Sequence, residues 1–140
     1  MVAVWPGACL RKRRADVPIV QIEALPQAPG VDVERALGAI CDEVATRLGE
    51  EPSGTWATFR TLEHYLEGRD EPDVQPRSTH PPLVRVIAFE GRSSEQIAEL
   101  LRCVASVLAA EFQLEEGNVF VVYEEARAGR LYTGGDVVPG

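Results

Sequence analysis

Few side chains in this chain are spaced for chemistry, and most of the spacings argue against the common kinds. His64 and His80 lie far apart with no third ligand at metal spacing, so no zinc-type site is implied and both rings are expected in solvent. Cys9, Cys41 and Cys103 are odd in number, widely separated and free of Cys-x-x-Cys spacing. They predict neither a disulfide framework nor a metal site, and Cys41 and Cys103 fall on helical faces as core filler. No helix follows Gly134-Gly135, so the pair reads as a hairpin turn rather than a phosphate loop, and no cofactor is expected. What remains is arginine, whose planar guanidinium forks onto the two oxygens of a carboxylate. Arg92 stands just before a helical run; Arg60 and Arg85 stand in β-rich runs, where an arginine is more often a salt-bridge partner than an anion ligand.

Charge narrows what such arginines can serve. The 140 residues carry 14 basic and 22 acidic side chains, a net charge of -8, which opposes general affinity for nucleic acid or an anionic membrane. Any bound anion must be held by local positive charge. The run Arg11-Lys12-Arg13-Arg14 reads as a solvated tail rather than a nucleic-acid contact. No apolar run approaches the roughly 20 residues that span a bilayer. In residues 1–17 the basic cluster follows a very short apolar stretch, the wrong order for a secretory signal, so a soluble cytoplasmic protein is expected.

The elements that must position these residues come from an internal repeat. Pro18-Ile-Val-Gln-Ile22 lies on Pro82-Leu-Val-Arg-Val86 at an offset of 64 residues (82 − 18), and the register then holds without a gap. Leu37 meets Leu101, Ile40 meets Val104, Val44 meets Leu108, Leu48 meets Phe112, Trp56 meets Phe120 and Phe59 meets Tyr123. Such agreement predicts a duplicated supersecondary unit. Each copy opens with a β-rich run, 18–25 and 82–89. A helix follows in each. Asp32 is the expected N-cap and Gly49 the stop of the first, with apolar residues at 33, 37, 40, 41, 44 and 48. In the second, Ser93 and Gln96 form a capping box ahead of a stripe of Ile97, Leu100, Leu101, Val104, Leu108 and Phe112. Further β-rich runs near 55–62 and 118–124 complete a strand-helix-strand pattern twice over, with parallel pairing expected inside each unit.

The expected architecture is therefore α+β: tandem β-α-β repeats forming a four-stranded sheet with two helices on one face. The layout is an extension over 1–17 and one domain over 18–140, made of units 18–65 and 82–138 joined by a proline-rich linker, 66–81. The first strands carry apolar residues at successive positions and so expect burial on both sides. Helices cover one face only; oligomerisation would cover the other.

The segment Pro82-Leu-Val-Arg-Val-Ile-Ala-Phe-Glu-Gly-Arg92-Ser-Ser-Glu-Gln closely resembles the opening of 4-oxalocrotonate tautomerase and its relatives. Ala-Gly-Arg130-Leu-Tyr-Thr-Gly-Gly135-Asp-Val-Val resembles the β-hairpin tail of that superfamily. The resemblance covers roughly 18–138, stronger over the second half, and the double-length layout is similar to malonate semialdehyde decarboxylase and cis-3-chloroacrylic acid dehalogenase. It implies a tautomerase/MIF-like fold, a homotrimer, and a small carboxylate as substrate. It also implies catalysis by an amino-terminal proline, here Pro18, with Arg92 as the carboxylate-binding arginine and Arg130 as a further substrate-binding candidate. The counterpart of Arg92 in the first unit is Ala28, which suggests one site per chain. Other family positions fall on Thr55, Phe89, Phe120 and Leu131, so neither the decarboxylase nor the dehalogenase reaction is supported; enol-keto tautomerisation of a small 2-hydroxy or 2-oxo carboxylate remains.

Val17 precedes Pro18, and a proline nitrogen inside a peptide bond is a planar amide that cannot act as a base. Two readings stay open. Translation begins at Val17 through a GTG codon, and removal of the initiator exposes Pro18; or the extension is genuine and the chain is a member without proline-based catalysis that binds carboxylates as an oligomer.

Overall fold

The structure is a computed structural model and describes residues 18–139. Expectations about the basic run, Cys9 and the residue before Pro18 lie outside the described residues. Two β-α-β units follow one another: β1 (Ile19–Ala24), α1 (Val33–Leu48), β2 (Trp56–Thr61), then β3 (Leu83–Phe89), α2 (Ser94–Phe112), β4 (Phe120–Ala126). A short hairpin, β5 (Tyr132–Thr133) with β6 (Asp136–Val137), closes the chain.

The helices begin and stop where local chemistry dictates. Asp32 caps α1 by accepting from the backbone N–H of Arg35 at 3.0 Å. Ser93 and Gln96 form both bonds of the capping box of α2, at 3.1 and 2.9 Å. Each helix ends on a left-handed residue, Gly49 at φ 68° and Gln113 at φ 59°, so the duplication extends to the C-terminal turn.

The sheet order is β2-β1-β3-β4. Within each unit the pairing is parallel and in the same register, Ile19 opposite Trp56 and Leu83 opposite Phe120. The offset of 64 seen in the sequence is thus the offset of the hydrogen-bonded ladder. The two central strands join the units antiparallel, Ile19 opposite Ile87 and Glu23 opposite Leu83.

Because both helices lie on one face, the strands alternate despite their continuous apolar sequence: Val20, Ile22 and Ala24 of β1 and Val84, Val86 and Ala88 of β3 point into the core. They meet Ala36, Ile40 and Val44 of α1 and Leu100, Val104, Leu108 and Phe112 of α2. On α1 the buried stripe includes Ala36, and Leu37 and Leu48 pack only at its margin. The small alanine lets α1 sit close over the sheet. Among the described residues nothing covers the opposite face, with Trp56 and Phe120 each more than half exposed at equivalent positions of the edge strands. Among the described residues no helix is long and apolar enough to cross a membrane.

One expectation is overturned. His80 is not in solvent but buried, at 1% exposure, inside the segment joining the units. Its Nε2 lies 2.8 Å from the carbonyl oxygen of Asp70 and its Nδ1 3.1 Å from Thr79 Oγ1; Tyr65 packs on the ring edge at 5.0 Å. Glu67 N–H donates to the same Nε2 at 3.1 Å, so the ring ties Thr79 to the Glu67–Asp70 pair of the connector. His80 N–H donates to Glu67 Oε1 and Gln75 Nε2 donates to His80 O. A proline-rich connector has few backbone partners of its own, and this ring supplies an interior one. His64 is exposed, as expected.

Candidate functional site

Strand direction decides which residues can meet. β1 and β2 start, and β3 and β4 finish, at the same end of the sheet. Pro18 lies one residue before the Ile19–Ile87 pair, which brings it level with Ala88, close to the finish of β3. Arg92 follows that finish and precedes the cap of α2. Antiparallel pairing of the units therefore carries the first residue of one unit to the end of the sheet that holds the arginine of the other, although Pro18 does not line the recess beside that arginine. Pro18 is fully buried, and its carbonyl accepts from Trp56 N–H at 3.1 Å.

Arg92 is half-buried, and its Nη1 donates to the carbonyl of Phe89 at 3.3 Å. That bond folds the side chain back across the turn that joins β3 to α2. Beside it lies a recess of about 150 Å³ lined by Arg47, Leu48, Arg92, Gln96, Glu99 and Leu100. Its walls are the last turn of α1 and the first turns of α2; the N-terminal end of α2 and the guanidinium of Arg92 favour an anion, and the C-terminal end of α1 opposes one. Arg47 Nη1 donates to Glu99 Oε1 at 3.1 Å across the mouth.

Sequence reasoning missed Arg47, Gln96 and Glu99. The duplication alone carried no signal for them: it is the antiparallel pairing of β1 with β3, seen in the structure, that puts the last turn of α1 beside the first turns of α2. Arg130 sits in the turn after β4, beyond the same end of the sheet, and is exposed; its N–H bonds the carbonyl of Arg127 at 2.9 Å, and it does not line the recess.

The opposite end is built differently. Pro82, the repeat partner of Pro18, is buried there, its carbonyl held by Phe120 N–H at 3.0 Å. The connector that buries His80 crosses this end: Gln75 N–H bonds Pro26 O at 2.7 Å, Glu115 N–H bonds Arg77 O at 3.0 Å, and the amide of Asn118 bonds Thr79 O at 3.0 Å. Ala28 takes the place an arginine would hold.

The strand arginines are partnered as expected. Arg85 grips Glu124 with two bonds of 2.8 Å and reaches Gln21 at 3.1 Å, while Arg60 pairs with Glu23. The hydrogen bond from Arg85 holds the Glu124 carboxyl below the usual carboxylate range. Burial pushes the Cys103 thiol up, and burial followed by the neighbouring Asp42 carboxylate does the same to Cys41, which makes both poor nucleophiles. Among the described residues no group of His, Cys, Asp and Glu could hold a metal ion.

Comparison with known proteins agrees with this geometry. Residues 82–139 match the tautomerase family, described as "Tautomerase enzyme". That match falls on the second unit. Solved structures extend the likeness to the double layout. Pt0534 inactivated by 2-oxo-3-pentynoate is similar at 19% identity and a TM-score of 0.73, over 86% of this chain and 94% of that one. A fused 4-OT, a wild-type symmetric trimer, is similar at 16% identity and a TM-score of 0.71, again over 86% and 94%. N1, a member of the cis-3-chloroacrylic acid dehalogenase family, is similar at 20% identity and a TM-score of 0.64, over 86% and 83%. The chain thus shares its fold, over both units, with fused 4-OT structures. No functionally curated protein matches the sequence.

Proposed function

We propose that this tautomerase-superfamily protein converts the enol of a small 2-hydroxy carboxylate to its 2-oxo form, as a trimer, at one site per chain. The reading rests on the sheet register, which brings Pro18 and Arg92 to one end while Pro82 faces the connector and Ala28. Arg92 holds the carboxylate with a charge-assisted fork. The amine of a Pro18 that begins the chain takes the enol O–H proton and returns a proton to carbon, so the net change is a shift of one proton. A free α-amino group titrates near about 7.7–8.0 in water, and the neighbouring cations lower it toward the working pH of a proton shuttle. Pt0534, inactivated by a 2-oxo acid, supports a 2-oxo carboxylate as the ligand class, and the symmetric trimer of a fused 4-OT supports the assembly.

A specific observation favours a second form of this reading. In the sequence as written Val17 acylates Pro18. A chain that keeps residues 1–17 has no amine there, and its function is carboxylate binding by an oligomer. The test is ketonisation of phenylenolpyruvate, followed by ultraviolet absorbance, with the 140-residue chain and a form beginning at Pro18. The Pro18 form turns over and the longer chain does not; equal rates in both refute the amine mechanism. In the active form Arg92→Ala raises KM by about tenfold or more, the loss of a contact worth about 1.5–3 kcal/mol. An unchanged KM removes Arg92 from the site.

A further inference from the structure

The recess beside Arg92 holds a second arginine on a different element, and that arginine already has an anionic partner. Arg47 belongs to the last turn of α1 and Glu99 to the second turn of α2, and both belong to the wall of the same recess. The side chains are 45% and 61% exposed, so water screens their pair and little is lost when it opens. A carboxylate seated between Arg47 and Arg92 would meet two guanidinium groups and the positive end of α2. The volume of about 150 Å³ sets the scale of the occupant. A cavity of about 150 Å³ accepts a six-carbon ring, so the recess suits a molecule of about six heavy atoms, the size of a three-carbon 2-oxo acid.

We infer that Arg47 is a second anion-binding residue of this recess and Glu99 its resident competitor: a small carboxylate entering beside Arg92 takes Arg47 over from Glu99. The inference rests on the carboxylate reading of Arg92 and adds a residue and a sign to it. Glu99 acts through Arg47, so removing its charge strengthens anion binding, and the strengthening disappears when Arg47 is absent, which direct repulsion between Glu99 and the anion would not do. Glu99 also sets a threshold: a weak or bulky anion that cannot displace it gains only one arginine.

The experiment is a titration of the full-length chain with sodium pyruvate in low-chloride buffer. Calorimetry gives the affinity, and the Nε–H resonances of the two arginines give the place. Both resonances shift in the wild-type protein. Arg47→Ala weakens binding by about threefold to tenfold, an exposed arginine contributing less than a buried one. Glu99→Gln tightens it by about twofold to threefold, and the same change made in an Arg47→Ala background has no effect. Loss of binding in Arg92→Ala with none in Arg47→Ala overturns this inference and leaves the carboxylate reading standing. Weakening in Arg47→Ala with none in Arg92→Ala overturns that reading and leaves Arg47 in place. Tightening by Glu99→Gln that persists without Arg47 overturns the role given to Glu99, and absence of a saturable signal in the wild-type chain overturns both.

Discussion

At the scale of the residue, His80 and Arg92 divide the molecule between them. Arg92 belongs to a recess with a helix N-terminus and a second arginine, an environment that favours a bound anion. His80 belongs to a connector whose polar groups it satisfies from inside, at the other end of the sheet. Truncation of the imidazole removes the ring's bonds to Asp70 O and Glu67 N–H and opens a void beside Tyr65. His80→Ala therefore lowers stability by about 2–4 kcal/mol in urea denaturation. Its effect on the KM of the Pro18 form is nil, because the ring is remote from Arg92; a raised KM at unchanged stability would reverse that assignment. The sequence disclosed one of these two residues and concealed the other. Arg92 follows a β-rich run and precedes a capping box, a position that local spacing identifies. His80 stands among prolines and charged residues, a composition that reads as solvated. Its burial depends on carbonyls and a tyrosine drawn from 10 to 15 residues away, which no local pattern reports.

At the scale of the element, the duplication turns one chain into its own control. α1 and α2 end on the same turn, with Glu50 N–H on Ala45 O and Leu114 N–H on Ala109 O, both at 2.9 Å, around a left-handed residue. That residue is glycine in the first unit and glutamine in the second. A side chain in the left-handed region is strained by contact with its own backbone, and glycine is not. Gln113→Gly should therefore raise stability by about 0.5–1 kcal/mol and Gly49→Ala lower it by a similar amount, both read from the denaturant midpoint at constant slope. Opposite signs confirm the shared turn; a loss in both cases refutes it. Strands, helices and caps were legible because each is set by residues within a few positions, and the gapless offset of 64 fixed the ladder register. The recess was not legible. It forms where α1 ends beside the start of α2, and its residues come from two units whose antiparallel docking is a tertiary fact.

At the scale of the whole molecule, the open face of the sheet is the feature left without an occupant. Its centre is a polar line, Arg60 with Glu23 and Gln21 with Arg85 with Glu124, running across all four strands. Apolar residues flank that line: Trp56 and Ile87 toward one end, Leu83, Phe120 and Val122 toward the other, with Trp56 52% and Phe120 55% exposed. Isolated exposed aromatics are ordinary, but two at repeat-equivalent positions of the edge strands make a surface with approximate twofold symmetry, suited to copies of itself. A closed ring of chains would bury both aromatics and would pair the outer edges of β2 and β4, which have no strand beside them among the described residues. Sedimentation equilibrium should give three chains per particle for the wild-type protein. Phe120→Glu, which sets a charge on the exposed aromatic of β4, should weaken association by about thirtyfold or more, the cost of losing an aromatic anchor, while the circular dichroism of the single chain is kept because Phe120 is not in the core. A wild-type chain that sediments as a single copy at micromolar concentration would show that this face meets some other partner, and Arg47 and Arg92 would then have to hold their anion without help from a neighbour.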